Sequence, residues 1–292
     1  MTPRRDGRVE LPDGRRLGYA EYGDPHGAPV LYFHGGLSSR LDIAFGDEAA
    51  RLAHVRLIAI DRPGIGLSDP HPDAVLPDWA EDVRRFADTL GIEHFGVLAW
   101  SAGAPYALAC AHQLASRVTR TGIVAGIGPL DREAIRRLGL IEDRMLYPLC
   151  RRTPWLAALV LRAAAWLPPG LARFSVLVQL SSPSDREIFR GLTAREATDF
   201  FYEAVRRGPE GVIEDYRTTG RDWRFAPSEI AGEVIFWHGS EDKLAPVSSV
   251  RALAAEIPRA RLIVAPARGH LLLWRDLPAV LEAISAERTV ES

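Results

Sequence analysis

The chain has 292 residues, of which 47% are hydrophobic and 25% are charged, and its formal net charge is −2. These values are ordinary for a globular protein with enough apolar material for a large core. The small net charge provides no general attraction to nucleic acid or to an anionic membrane, so neither is an expected partner.

Targeting and redox signals are weak along the whole chain. The two cysteines, Cys110 and Cys150, form neither a disulfide framework nor a set with metal-ligand spacing. No apolar stretch follows the basic N-terminus, so no secretory signal is predicted. The longest apolar stretch, Trp155–Pro168, is interrupted by Arg162 and is shorter than the roughly 20 residues of a membrane span. We therefore expect a cytoplasmic protein with no membrane span.

Short apolar runs alternate with longer helical patterns in the first half of the chain. Strands are predicted at Arg16–Tyr22, Val30–His34, Val55–Ile60, Phe95–Trp100 and Thr119–Ala125. Helices are predicted at Ile43–Ala53, at Asp78–Leu90 with Asp78 as N-cap, and at Ser101–Leu114. This alternation predicts a mostly parallel sheet with helices on both faces.

The alternation stops after Gly126-Ile127-Gly128-Pro129. Residues 130–226 have helical patterns rich in Arg, Ala, Leu and aromatic residues. Strands resume at Glu233–His238 and Arg261–Ala265, and helices at Val247–Ile257 and Leu277–Ala286. We therefore predict one α/β domain built from residues 1–129 and 227–292, into which the helical segment 130–226 is inserted.

Ser101 stands at the junction of a predicted strand and a predicted helix. The apolar run Val97–Trp100 ends at this serine, and the small residues Ala102-Gly103-Ala104 follow. Such a sharp turn exposes a hydroxyl at its apex, but a serine nucleophile also needs a base and an orienting acid. These groups gather at the carboxyl ends of parallel strands, where Asp242 and His270 also fall. The chain therefore holds serine, acid and histidine in that order.

Four features in the correct order carry a resemblance. They are His34-Gly35-Gly36 after an early strand, the loop Asp61-Arg62-Pro63-Gly64-Ile65-Gly66-Leu67-Ser68, the turn at Ser101, and the pair Gly239-Ser240-Glu241-Asp242 and Gly269-His270. With them the chain resembles the α/β-hydrolase superfamily, in its serine-nucleophile, cap-domain type, over essentially its whole length. The resemblance implies an α/β-hydrolase fold with segment 130–226 as a helical cap (lid) domain inserted after the sixth strand.

The resemblance also implies roles for individual residues. Ser101 would be the nucleophile, His270 the general base and then the general acid, and Asp242 the orienting carboxylate. The oxyanion hole would use the backbone N–H groups of Ala102 and Gly36, with Leu37 as the alternative to Gly36.

One position departs from the family pattern. The turn of the family usually reads Gly-x-Ser-x-Gly, and here Ala99 replaces the first glycine while Gly103 is kept. Alanine adds a single methyl group where strand and helix pass closely, so the turn is expected to tolerate it.

Other residues compete for these roles. Glu241 neighbours Asp242, and Asp131 follows the Thr119–Ala125 strand, where some family members hold the acid. His34 and His238 each end a strand before a glycine and are expected to make structural hydrogen bonds. The glycine-rich loop after Asp61 lacks the phosphate-loop patterns and is interpreted as a structural turn.

The inserted residues supply most of the candidate substrate contacts. We expect Leu37, Trp100, Phe200, Phe201 and Trp223 to contact substrate, although helix packing within the insertion would need the same kind of aromatic residues. No histidine has metal-ligand spacing, so no metal is expected, and the chemistry requires no cofactor.

The leading hypothesis is a cofactor-independent serine hydrolase that cleaves an ester, thioester or amide of a mostly hydrophobic small molecule through an acyl-enzyme on Ser101. Two alternatives stay open. The first is a carbon–carbon bond hydrolase, lyase or biosynthetic tailoring enzyme that uses the same residues, and the second is a ligand receptor without turnover. The expected partner is a small-molecule substrate, and a homodimer is left open.

Overall fold

The structure is a computed structural model that describes residues 3–285, and the strands in this range form one eight-stranded sheet. The strands are β1 (Arg5–Glu10), β2 (Arg16–Gly23), β3 (Ala28–Phe33), β4 (Val55–Ile60), β5 (Phe95–Trp100), β6 (Val118–Val124), β7 (Val234–Gly239) and β8 (Ala260–Ala265). Their order across the sheet is β1-β2-β4-β3-β5-β6-β7-β8. Strand β2 pairs antiparallel with β1 and with β4, and all other pairs are parallel. The predicted mostly parallel sheet is confirmed.

Helices cover both faces of this sheet. They are α1 (Asp47–Leu52), α2 (Leu76–Thr89), α3 (Ala104–Gln113), α4 (Arg132–Arg137), α5 (Ile141–Arg152), α6 (Pro154–Ala165), α7 (Pro169–Leu177), α8 (Pro183–Gly191), α9 (Asp199–Ala204), α10 (Glu210–Thr219), α11 (Val247–Glu256) and α12 (Leu273–Ser285). Alternate residues of a strand point to opposite faces. Leu31 and Phe33 of β3 therefore pack in one core with α2, α3 and α11, whereas Val30 and Tyr32 pack in the other with α1 and α12.

The structure corrects the predicted elements in three places. Strand β1 was not predicted because it is an edge strand with only Val9 buried, so it lacks an apolar run. Asp78 is not the N-cap of α2: the helix begins at Leu76, and Asp78 accepts a hydrogen bond from the Val75 N–H from within the first turn. Helix α12 begins at Leu273, four residues before the predicted start. The predicted end of this helix, Ala286, lies outside the described residues.

Two other predicted helices begin as short 3₁₀ turns. Ala44–Gly46 precedes α1, and Ser101–Gly103 precedes α3. The second of these turns places Ser101 directly at the end of β5.

Helices α4 to α10 lie between β6 and β7, within residues 130–226, which we call the inserted segment. Its division from the rest of the chain as a separate domain stays a prediction. Within residues 3–285, no single helix is long and apolar enough to cross a membrane, although α6 and α7, bent by 113° at their junction, pass that test as a pair.

Candidate active site

The turn after β5 has the strained backbone that an exposed nucleophile requires. Ser101 adopts a φ of +53°, a left-handed conformation that side-chain-bearing residues rarely take. Gly103 is needed two residues later, because a methyl group at this position would lie 2.4 Å from the carbonyl oxygen of Phe33. Ala99 is fully buried within β5, in register with Phe33, and the turn forms around its methyl group as expected.

Three side chains from three strand ends form one hydrogen-bonded chain. Ser101 Oγ lies 3.0 Å from His270 Nε2, and His270 Nδ1 lies 2.8 Å from Asp242 Oδ2. An Nδ1–H that donates to Asp242 leaves Nε2 free to accept the serine proton. The structure therefore brings together the serine, histidine and aspartate that the sequence singled out.

Asp242 is held as a carboxylate by several donors. Its Oδ1 accepts hydrogen bonds from the backbone N–H groups of Leu244 and Ala245, both at 2.9 Å. His238 Nε2 lies 3.3 Å from Asp242 Oδ2 and also donates to the Ala245 carbonyl oxygen at 2.7 Å. Burial alone would raise the pKa of Asp242, but the neighbouring His270 and His238 outweigh it and hold this pKa well below its usual range.

The pKa of His270 is shifted upwards, opposite to the shift at Asp242. Burial of the imidazole opposes its protonation, yet its pKa is raised because the Asp242 carboxylate favours the charged ring. The carboxyl groups of Asp185 and Asp143 add to this effect. A base tuned in this way accepts the proton of Ser101 more readily and stabilises the imidazolium that results.

Free backbone amides line the cavity next to Ser101. Gly36, Leu37 and Ala102 all lie in its wall, and a methyl group built on Gly36 would lie 3.5 Å from Ala102 Cβ. Among the hydrogen bonds of residues 3–285, none is donated by these three amides. Ala102 also precedes α3, where the helix dipole favours negative charge. The amides are therefore placed for an oxyanion, and the choice between Gly36 and Leu37 stays open.

A buried arginine fixes the loop that carries these amides. Arg62 donates to the carbonyl oxygens of His34 and Gly35 at 2.6 and 2.8 Å. It also makes a bidentate ion pair with Asp215 of α10: Arg62 Nε donates to Asp215 Oδ1 at 2.7 Å and Arg62 Nη2 donates to Asp215 Oδ2 at 2.8 Å. His34 Nδ1–H donates to the Gly35 carbonyl oxygen, so this histidine has the structural role expected of it. Arg62 thus links the inserted segment to the loop of residues 34–37, which carries the Gly36 and Leu37 amides and which we call the oxyanion loop.

A second contact joins the inserted segment to the loop of residues 269–271, which we call the histidine loop. This contact was not predicted from the sequence. Asp185 on α8 accepts hydrogen bonds from the backbone N–H groups of His270 and Leu271 at 2.8 and 2.9 Å. Ser184 Oγ accepts one from Gly269 at 3.0 Å. The sequence signals only that Ser182-Pro183-Ser184-Asp185 starts a helix, because nothing local shows which distant amides its side chains meet.

The competing acids lie elsewhere. Asp131 accepts a hydrogen bond from the Ala134 N–H and caps α4. Glu241 lies 3.5 Å from Ser182 Oγ, away from the imidazole. The loop after Asp61 is a structural turn: its carboxylate accepts hydrogen bonds from the Leu67 and Arg40 amides and leaves no space for a side chain at Gly66.

The serine and the histidine open into a cavity of about 260 Å³. Most of its wall is apolar and comes from the inserted segment, where α5, α6, α7, α9 and α10 all contribute side chains. Leu37, Trp100, Phe200 and Phe201 line it, and their contact with substrate stays a prediction. Trp223 does not line the cavity, and that prediction is wrong. Trp223 follows α10 where the chain returns to the sheet, and it packs in the core with 5.8 Å between its ring centroid and that of Phe225.

No group of three or more His, Cys, Asp or Glu side chains within residues 3–285 has the arrangement to hold a metal ion. The imidazole of His270 and the carboxylate of Asp242 are bonded to one another, to Ser101 and to backbone amides. The arrangement can move a proton from Ser101 to His270 and receive negative charge at the amide of Ala102 together with that of Gly36 or Leu37.

A mostly parallel sheet that carries serine, acid and histidine at its strand ends defines the α/β-hydrolase class. The chain belongs to the alpha/beta hydrolase family, whose model matches residues 26–283.

Individual relatives differ in how much of the chain they match. The proline iminopeptidase of Xanthomonas citri is 32% identical over 130 residues, which are 40% of this chain and 40% of that protein. The 2-hydroxymuconate semialdehyde hydrolase of Pseudomonas putida is 25% identical over 90% of this chain and 87% of its own length. A thermophilic esterase from Thermogutta terrifontis superposes with a TM-score of 0.68 at 21% identity, over 96% of both chains. The chain thus matches under half the length of the iminopeptidase, and its relatives are hydrolases.

Proposed function

We propose that this protein is a serine hydrolase that cleaves an ester, thioester or amide bond of a small, mostly apolar substrate. The observation that carries the proposal is the chain of hydrogen bonds from Ser101 through His270 to Asp242 at the base of an apolar cavity. An unassisted serine hydroxyl is a poor nucleophile at neutral pH, and these hydrogen bonds supply the base that it lacks.

The chemistry runs in two halves. His270 Nε2 takes the proton of Ser101 as Oγ attacks the substrate carbonyl carbon, and the amides of Ala102 and Gly36 stabilise the oxyanion. His270 then protonates the leaving group, which leaves an acyl group on Ser101. A water molecule, deprotonated by the same imidazole, releases the acid. The inserted segment acts in this proposal as a cap domain that excludes bulk water from the cavity.

A fluorophosphonate probe tests the proposal directly. We expect one equivalent of probe to attach to Ser101, and we expect Ser101→Ala to abolish both labelling and hydrolysis of short p-nitrophenyl esters. Ser248→Ala, on the exposed face of α11, is the matched control and should label normally. Folded protein that fails to label would contradict the proposal.

Carbon–carbon bond hydrolysis is the second candidate. It is favoured by the Pseudomonas putida relative, because the substrate in that protein's name contains neither an ester nor an amide. Rapid-quench measurement distinguishes ester hydrolysis from carbon–carbon bond hydrolysis. Ester hydrolysis through Ser101 predicts an acyl-enzyme that can be trapped, with a burst of leaving group.

A further inference from the structure

One carboxyl group in the cavity wall touches none of the reacting atoms of the proposed serine chemistry, although its charge helps to raise the pKa of His270. Asp143, on α5, lines the same cavity as Ser101 and His270. Tyr216, on α10, donates its phenolic proton to Asp143 Oδ1 at 2.5 Å. A methyl group built on Gly36 would lie 3.7 Å from Tyr216 Oη. The Tyr216–Asp143 pair therefore lies beside the oxyanion loop, next to the place where a substrate carbonyl must be held.

Neighbouring polar side chains of the wall already have partners within the protein. Glu142 accepts from Gln179 Nε2, Ser175 donates to the Ala172 carbonyl, Thr198 donates to the Ala194 carbonyl, and Asp215 accepts from Arg62 and Tyr106. Asp143 differs from them. Within residues 3–285 its Oδ1 is bonded to Tyr216, whereas no hydrogen bond is made by its Oδ2. The wall thus holds an acceptor that the protein itself leaves free.

A free carboxylate in an apolar cavity is costly. Burial raises the pKa of Asp143 to about 6, in spite of the hydrogen bond from Tyr216 and the nearby His270. In its ionised form this carboxyl group needs a hydrogen-bond donor. A bound ligand that brings one would recover part of the desolvation cost, whereas a purely apolar ligand would bury the charge further.

We propose that Asp143 binds a hydrogen-bond donor, a hydroxyl or an ammonium group, which the substrate carries on the chain next to its reacting carbonyl. The inference rests on the proposed serine hydrolase function, since Ser101 and Gly36 define where that carbonyl lies. Asp143 selects the substrate through its free Oδ2. Tyr216 is a positioning residue that holds Oδ1 and so keeps the carboxylate beside the oxyanion loop.

Substrate ratios test this selection, because a ratio cancels general damage to the enzyme. The probes are the p-nitrophenyl esters of butanoate, 3-hydroxybutanoate and 3-aminobutanoate. We expect the wild type to prefer the two donor-bearing esters in kcat/KM by about tenfold or more, as sites built to bind a substrate OH or NH do. Asp143→Leu should reverse the preference. Asp143→Asn should lose the ammonium preference and keep part of the hydroxyl preference, because its amide oxygen still accepts.

Glu142→Gln is the matched control, since this neighbouring carboxyl lies in the same wall but is already paired with Gln179. It should leave the ratios unchanged. Tyr216→Phe should reduce the donor preference without abolishing it. Ratios that do not change in Asp143→Leu, or a wild type that prefers plain butanoate, would overturn the proposal.

A binding measurement separates this proposal from the proposed function. In Ser101→Ala, the corresponding amides cannot be turned over, and their binding is read as a rise in Tm. We expect 3-aminobutanamide and 3-hydroxybutanamide to raise Tm more than butanamide, and Asp143→Leu in the same background to remove the difference. If this holds while wild-type protein neither labels nor hydrolyses esters, the function is wrong and the subsite stands. Equal shifts for all three amides overturn the subsite even if labelling succeeds.

Discussion

The strand ends of the sheet and the outer helices of the inserted segment differ in how far they bury their side chains. Around the strand ends, Asp242, His270 and Arg62 are buried and bonded on every side. Large apolar side chains at the end of α6 and on α7 instead face outward, with Trp166 88% and Phe174 58% exposed. The strand ends thus hold their polar groups in a buried, hydrogen-bonded arrangement, whereas the outer face of the inserted segment leaves large apolar side chains uncovered.

The two regions nevertheless meet at buried polar contacts. Asp215 of α10 is paired with Arg62, and Asp185 of α8 holds the backbone of His270. Both contacts end on loops that carry proposed catalytic groups. The inserted segment is therefore more than a cover, because displacing it would release the oxyanion loop and the histidine loop.

The largest expected effect lies entirely on the sheet side. Asp242→Asn keeps the shape of the side chain but can favour the wrong imidazole tautomer, so kcat should fall by about 10⁴-fold. Steady-state ester hydrolysis measures the fall, and circular dichroism checks the fold. Asp131→Asn is the matched control, because Asp131 only caps α4. A small loss in Asp242→Asn together with a large one in Asp131→Asn would reassign the acid.

The next effect concerns the buried ion pair of Asp215 and Arg62, which we call the joint between the inserted segment and the sheet. Asp215→Ala leaves the buried Arg62 without its counter-ion, which should cost about 3–5 kcal/mol of unfolding free energy. Urea denaturation measures this loss. Arg207→Ala is the control, since its ion pair with Asp69 also joins the inserted segment to the loop after β4 but is solvent-exposed, and it should cost less than about 1 kcal/mol. Equal costs would show that the joint does not depend on burial.

A smaller effect should appear in the pH profile. Asp185→Ala removes a negative charge that raises the pKa of His270, so that pKa should fall. The base must be neutral to accept the serine proton, and activity is lost as pH falls through its pKa. The acid limb of kcat/KM should therefore move to lower pH, while kcat falls by about tenfold because the loop is less well held.

Ser184→Ala is the matched control for that experiment. It removes the acceptor of the Gly269 N–H without changing charge. It should lower kcat modestly and leave the acid limb in place. An acid limb that does not move in Asp185→Ala would show that Asp185 contributes to structure alone.

The smallest expected effect is on the outer face of the inserted segment. Trp166→Ser should change the unfolding free energy by no more than about 0.5 kcal/mol, whereas Trp79→Ala, in the core against Phe33, should cost about 3–5 kcal/mol. Urea denaturation compares the two. A large cost at Trp166 would mean that this face is covered in solution, as it would be in a homodimer.

Sequence patterns predicted the sheet side well because its signals are local. Buried parallel strands are continuous apolar runs, and Val55–Ile60 and Phe95–Trp100 match their predicted bounds. Strand β1 was missed because an edge strand has few buried side chains, and Asp78 was misplaced because a first-turn acid resembles an N-cap in sequence. Trp223 was assigned to the cavity because aromatic composition does not distinguish a cavity wall from a core.

The order of serine, acid and histidine, and the strand ends that carry them, could be predicted from the sequence because both follow from local turn chemistry and hydrophobic runs. The groups that surround these three residues could not be predicted in that way. Asp185, Asp143 and Asp215 are separated in sequence by 85, 73 and 153 residues from their partners, which are His270, Tyr216 and Arg62 respectively, and only packing brings them together. Contacts between distant segments depend on how the inserted helices pack over the sheet, which no local pattern encodes.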